Sequence, residues 1–302
     1  MVYDPQMTAL SIGLVCDLGV GERFGGRKRN EDNYLVCHEG LVRYRLEQSE
    51  QRLIQWGEGT LVAVCDGMGG HEDGDVASAA AVQVLAKLYR PGHPRNPEHV
   101  LQNYVHKAHR QLYDAVSEDG PVSMGTTVTV AWFIGDVLYW VNVGDSRLYL
   151  WRSGRIQQMT VDQTRNAFAL RDGKSETPDG HHLVQNFIYG SRGLGDNTQL
   201  RIESGQDTGA IQLLPGDRVL LCSDGLTKAV VDNQLSRILS DRGAPQPTAE
   251  QLTDLAKRLG SRDNITTLLL DVDEDDSDPV SEENTDDLPT VVDRDGTGRS
   301  RF

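Results

Sequence analysis

The chain has 302 residues, enough for one large domain or two small ones, and 38% of them are hydrophobic, so a sizeable buried core is expected. A formal net charge of −15 disfavours nucleic acid and anionic membranes as partners. No apolar run reaches the roughly 18 to 20 residues of a membrane helix, and no basic stretch with an apolar block opens the chain, so a cytoplasmic location is expected.

The first β-rich apolar run is Leu10–Cys16, followed by Asn33–Cys37. Residues 39–60 are a polar excursion that suits a hairpin or loop, and Leu61–Cys65 is the next strand. Helical patterns occupy Val76–Tyr89 and Pro97–Val116. Thr126–Phe133, Val137–Val143 and Leu148–Trp151 read as strands, residues 165–190 as a surface insertion, and Arg218–Cys222 as a further strand. Asp232–Ser240 and Thr248–Leu259 read as helices, the second opened by a Thr248 cap with Glu250 and Gln251 in its first turn. Ile265–Leu270 closes the series as a strand.

Runs of strands broken by pairs of helices predict an α+β class of layered, largely antiparallel sheets over residues 8–272, not the strict alternation of a doubly wound fold. Asp271–Phe302 holds twelve acidic and three basic residues, which leaves only −6 of the net charge to the body. So few aliphatic side chains cannot offset the entropy of ordering, and residues 273–302 are expected to form an acidic disordered tail. Cys16, Cys37, Cys65 and Cys222 sit in or beside apolar runs without CxxC spacing, which predicts buried free thiols.

Aspartates recur at the tips of the apolar strands: Asp66-Gly67 after Leu61–Cys65, Asp224-Gly225 after Arg218–Cys222, and Asp263-Asn264 before Ile265. One Asp-Gly pair is explained by turn chemistry alone. Three strand tips can converge, and carboxylates brought together without histidines or thiols suit hard cations such as Mg²⁺ or Mn²⁺. Near the N-terminus, Arg27 precedes Glu31 and Asp32 within one loop, so a guanidinium able to fork phosphate oxygens lies beside further carboxylates.

Asp66-Gly67-Met68-Gly69-Gly70-His71 does not stand alone. Arg27…Asn30-Glu31-Asp32, Gly125-Thr126-Thr127, Gly144-Asp145-Ser146-Arg147, Ser191-Arg192-Gly193-Leu194-Gly195-Asp196, Ser223-Asp224-Gly225-Leu226 and Arg262-Asp263-Asn264 accompany it in order. Together they resemble the metal-dependent protein phosphatases of type 2C, particularly bacterial members. The resemblance implies an α-β-β-α sandwich that hydrolyses phosphoserine and phosphothreonine esters through a water bridging two Mn²⁺ or Mg²⁺ ions. It implies that Asp66 bridges the ions, that the Gly67 carbonyl and, through water, Glu31 serve one, and that Asp224 and Asp263 serve the other. Arg27 matches the phosphate-binding arginine, Asp32, Asn264 and Asp145 fall behind the ligands, and Asp119 is the candidate for a third ion. Met68 stands where many eukaryotic members carry a histidine general acid, which leaves His71 nearby as the alternative donor.

The implied partners are phosphoproteins marked by a serine/threonine kinase, with no nucleic acid or membrane, and the implied state is a monomer. Three other readings compete: a silent phosphoprotein-binding relative, a phosphatase of small phosphoesters, and an interaction module built on the acidic tail. The full set of carboxylates disfavours the first.

Overall fold

The computed structural model describes residues 9–46, 49–55, 57–68, 73–92, 94–115, 123–178, 180, 187–191, 200, 202 and 207–273. Its first strands are β1 (Leu10–Asp17), β2 (Asn33–His38), β3 (Leu41–Leu46), β4 (Ser49–Ile54), β5 (Thr60–Cys65) and β6 (Gly67–Met68). Helices α1 (Gly74–Ala86) and α2 (Pro97–Ala115) follow, then β7 (Ser123–Thr126), β8 (Val128–Ile134), β9 (Val137–Val143), β10 (Arg147–Arg152) and β11 (Arg155–Gln158). The rest is α3 (Arg165–Arg171), β12 (Ile188–Ser191), β13 (Thr208–Gln212), β14 (Arg218–Cys222), α4 (Asp224–Thr227), α5 (Asp232–Ser240), α6 (Pro245–Arg258) and β15 (Ile265–Val272).

A seven-stranded sheet runs β13-β9-β8-β5-β2-β3-β4 and a five-stranded sheet runs β1-β15-β14-β10-β11. Pairing within each is antiparallel. Successive side chains on a strand face opposite ways, so each central strand supplies two cores. Val36, Val62, Val64 and Phe133 of one sheet meet Leu148, Val219, Leu221 and Leu268 of the other. The alternate residues Leu35, Leu61, Ala63 and Val130 pack outward under Leu85 of α1 and Leu101 and Val105 of α2. On the far side, Leu220 and Leu269 pack under Leu235 of α5 and Leu252 of α6. The expected α-β-β-α order of layers is the result. No helix among the described residues is long and apolar enough to cross a membrane.

Three expected elements differ. The run Thr126–Phe133 is two strands, because the chain breaks at Thr127 and β7 turns away to pair with β6. Helix α6 starts at Pro245, not at a Thr248 cap; proline suits the first helical position, and Thr248 turns its hydroxyl back to the Ala244 carbonyl at 2.9 Å. Residues 165–190 contain α3, capped by the Thr164 side chain on the Ala167 amide. The polar excursion is the hairpin β3–β4, as expected. Of the four free cysteines, Cys37, Cys65 and Cys222 are buried and Cys16 is half-buried.

Arg218 is 2% exposed at the start of β14. It grips both oxygens of Asp271 at 2.7 and 3.0 Å and donates to the carbonyls of Leu239 and Gly243. Arg218→Ala removes the donor from that carboxylate and from the Leu239 carbonyl, while the Gly243 carbonyl keeps Thr248 Oγ1 at 3.1 Å, and urea unfolding is expected to show a loss of about 3 kcal/mol. A loss below about 1 kcal/mol would show that Arg218 is not an anchor of the helix layer.

Candidate active site

Because the central strands are antiparallel, the C-terminal tips of β5 and β14 and the N-terminal tips of β2 and β15 lie at one end of the sandwich: Asn33 pairs with Cys65, and Cys222 with Thr267. Asp66 leaves β5 at that end. Thr127 holds it by accepting the Asp66 amide on Oγ1 at 2.9 Å and donating its own amide to the Asp66 carbonyl at 2.9 Å. Thr126 Oγ1 also donates to that carbonyl, and Thr127 Oγ1 bonds Ser146 Oγ at 2.8 Å. The break between β7 and β8 therefore exists to grip Asp66. Gly67 comes next, where a Cβ would lie 2.1 Å from the Gly74 carbonyl oxygen and 2.6 Å from that of Glu31, so only glycine lets the two loops meet.

The loop bearing Arg27, Glu31 and Asp32 is tied to both sheets. Asn264 Oδ1 accepts the Glu31 amide at 2.9 Å, while its Nδ2 donates to the carbonyls of Leu18 and Arg29. Ser78 Oγ of α1 donates to the Glu31 carbonyl at 2.7 Å. Asp32 is 1% exposed, and its Oδ2 accepts from Ser223 Oγ and Thr266 Oγ1, both at 2.7 Å. Gly225 allows the chain after Asp224 to lie on the same loop, since a Cβ there would sit 1.9 Å from the Asn264 carbonyl oxygen.

Carboxylates accumulate where these loops meet. Burial raises Asp66 well above the ordinary carboxylate range although the residue keeps some solvent contact, and Asp32, Asp224, Asp263 and Asp145 add to the rise. Burial raises Asp224 too, partly offset by Lys228. Asp32 and Asp145 are each pushed up to about 7, by burial first and by Asp224 as a neighbour. Two cations balance this charge. Arg27 Nε bonds Asp263 Oδ1 at 2.7 Å, with Nη1 3.6 Å from Glu31 Oε2. Lys228 Nζ pairs with Asp224 Oδ2 and lies 3.7 Å from Asp263 Oδ2.

Among the described residues no three carboxylate, thiol or imidazole groups close into a finished metal cage, and Arg27 and Lys228 pair with Asp263 and Asp224. The donor set nevertheless fits a hard divalent cation. It consists of oxygens, and Oδ1 of Asp224 and of Asp145 are buried without a hydrogen-bond partner among the described residues, a costly state that a cation relieves.

Most of the residues singled out in the sequence are thus brought together: Arg27, Glu31, Asp32, Asp66, Gly67, Asp145, Asp224, Asp263 and Asn264. Asp119, Gly69, Gly70, His71 and the stretch Arg192–Asp196 lie outside the described residues. Arg147, at the start of β10, pairs with Asp162 at 2.7 Å, because β11 runs antiparallel to β10 and brings the segment after it back beside Arg147. Ser146, Ser223 and Thr266 lie in or beside the motifs but receive no role from the sequence, and Ser78, outside all of them, carries no spacing signal. A Cys-x5-Arg spacing does run from Cys37 to Arg43. Cys37 pairs with Val42 and Arg43 with Val36, so the two side chains sit on opposite faces of the sheet, and burial pushes the Cys37 thiol up. That pair offers no cysteine nucleophile.

The chain is similar to known proteins in sequence and in fold. The family described as protein phosphatase 2C matches residues 48–269. A serine/threonine phosphatase stp of Listeria monocytogenes is 31% identical over 219 residues, covering 70% of this chain and 84% of that protein. PstP, a serine/threonine protein phosphatase of Mycobacterium tuberculosis, is 32% identical over 238 residues, 77% of this chain and 43% of that protein. The crystal structure of the PstP catalytic domain in complex with two manganese ions superposes with a TM-score of 0.68 at 29% identity, covering 88% of this chain and 99% of that one.

Raised carboxyls favour the folded state while protonated. Their contribution is complete below the ordinary value of about 3.9 and is lost as pH rises through about 7. In chelator, the melting temperature is expected to fall between about pH 5 and about pH 8, and Asp32→Asn to flatten that slope. A melting temperature that rises over this range would contradict the cluster's electrostatics.

Proposed function

The chain belongs to the protein phosphatase 2C family, and from that premise we propose which of its residues perform the chemistry. It is a metal-dependent serine/threonine protein phosphatase with phosphoproteins as substrates and a dinuclear Mn²⁺ or Mg²⁺ site. The observation that carries the assignment of residues is the convergence of Asp66, Asp224, Asp263 and Arg27 at one end of two sheets.

In this reading Asp66 would serve both ions, the Gly67 carbonyl and, through water, Glu31 would serve one, and Asp224 and Asp263 would serve the other. Asp119 is assigned to a third, weaker ion. Bound there, the cations supply a water activated for in-line attack and offset charge on the phosphoryl oxygens. The chain's own residues do the rest. Arg27 uses Nε on Asp263 and keeps other N–H groups for the substrate phosphate, a bidentate geometry lysine cannot offer. Asp32 and Asn264 fix the loop that presents Glu31. Asp145 adds negative charge beside Asp224. Met68 has no proton to give, so it does not protonate the leaving alcohol.

Residues 8–272 form the catalytic domain in this proposal, and 273–302 an acidic tail that acts on protein substrates by charge. Substrates are those of a serine/threonine kinase, and the protein works as a cytoplasmic monomer.

Asp66→Asn and Asp224→Asn are each expected to lower turnover on a phosphothreonine peptide by about 100-fold or more while circular dichroism stays unchanged. EDTA should abolish the wild-type rate. Near-normal turnover in either variant would refute the ligand assignment. Arg27→Ala should raise KM roughly tenfold or more with a smaller change in kcat, because a phosphate grip already acts in the ground state. A loss confined to kcat would move Arg27 to the transition state. Truncation after Val272 should leave p-nitrophenyl phosphate hydrolysis unchanged and alter phosphoprotein rates at low salt only. Equal phosphoprotein rates at every ionic strength would remove the tail from substrate selection.

A further inference from the structure

Lys228 has no part in the roles above, yet its ammonium lies among the proposed ligands. Its place follows from local geometry. The Lys228 amide donates to the Asp224 carbonyl at 2.8 Å, one helical turn on, so its side chain rises beside that of Asp224. Of the four carboxylate oxygens of Asp224 and Asp263, three face a cation: Asp224 Oδ2 and Asp263 Oδ2 face Lys228, and Asp263 Oδ1 faces Arg27. The fourth, Asp224 Oδ1, is buried and has no partner among the described residues.

The side chain of Lys228 is 38% exposed and borders a groove of about 490 Å³ that Asp263 and Arg27 also line, together with Gly25, Gly26 and Gly260. A four-carbon stem can carry its ammonium into that groove with no backbone movement.

We propose that Lys228 is a tethered counter-ion that fills the cation position between Asp224 and Asp263, and that a divalent ion settles there only by displacing the ammonium into the groove. The proposal rests on reading Asp224 and Asp263 as ligands. Two like charges held within a few ångströms in a partly desolvated site repel strongly, so lysine and metal exclude one another. Lys228 thereby spares the metal-free protein an uncompensated carboxylate pair and weakens its hold on the ion. It is a positioning residue whose effect is read in metal affinity.

The test is Mn²⁺ binding by titration calorimetry on the full chain, for wild type, Lys228→Gln, Lys228→Arg and Asp224→Asn. Lys228→Gln is expected to bind at least one Mn²⁺ about tenfold more tightly and to melt lower in EDTA, while Lys228→Arg, which keeps the charge on a fork that leaves the carboxylates less readily, binds no more tightly than wild type. A purely structural lysine would give unchanged or weaker binding in Lys228→Gln, and that result overturns the proposal. Should Lys228→Gln fail to fold in EDTA, its Mn²⁺-loaded form is titrated with a chelating indicator, and the same comparison of affinities decides. Asp224→Asn separates the two readings. Wild-type affinity in Asp224→Asn sinks the ligand assignment itself; weakened binding there without a gain in Lys228→Gln sinks only the counter-ion.

Discussion

Repulsion among Asp32, Asp66, Asp145, Asp224 and Asp263 is the constraint around which the rest of the molecule is arranged. Carboxylates this close and this poorly hydrated oppose folding, since each must be partly neutralised by a proton, a hydrogen bond or a cation. The protein supplies all three kinds of relief. Asp32 receives two hydroxyls, Asp224 receives a lysine and Asp263 an arginine. What remains unrelieved is oriented oxygen, which is what a hard divalent cation seeks.

That cost is carried by a scaffold suited to it. An antiparallel sandwich brings strands from both sheets to the same end, and strand tips fix side chains better than loops do. The two sheets touch through an apolar layer along most of their length. At the site end, polar ties replace it: Asp32, just before β2 of one sheet, is bonded by Ser223 and Thr266 of the other. The candidate site is therefore also the seam that sets one sheet against the other, and errors in sheet packing would be felt first at the proposed metal ligands.

How much of this was legible in the sequence depended on which physical signal each residue carries. Strands buried on both faces announce themselves as short apolar runs, so Arg218–Cys222 and Val137–Val143 were read with their observed bounds. The break at Thr127 was not legible, because Thr126-Thr127 continues a β-forming pattern and only a tertiary contact with Asp66 divides it. The start of α6 was misplaced because a threonine in the first turn looks like a cap whether or not it serves as one. Within the site, Asp-Gly and Arg-Asp-Asn spell themselves out at strand ends. The positioning roles of Ser78, Ser146, Ser223 and Thr266 do not, since a buried hydroxyl has no period or partner that composition reveals. Lys228 was hidden differently: a lysine four residues after an aspartate ordinarily marks an exposed helix pair of little consequence.

Arg27 and Lys228 approach Asp263 through different oxygens, and their chemistry separates what each can do there. A guanidinium is a rigid fork: with Nε committed to Asp263 and one Nη near Glu31, it still has donors directed elsewhere, so it can serve carboxylate and phosphate together. It has no reason to leave when metal arrives. An ammonium is a point charge on a flexible stem, and its hold on Asp224 uses the same oxygens a metal needs. It can only stay or go. The fixed cation is thus suited to the proposed phosphate and the movable one to the proposed metal, and both border the groove beside Asp263.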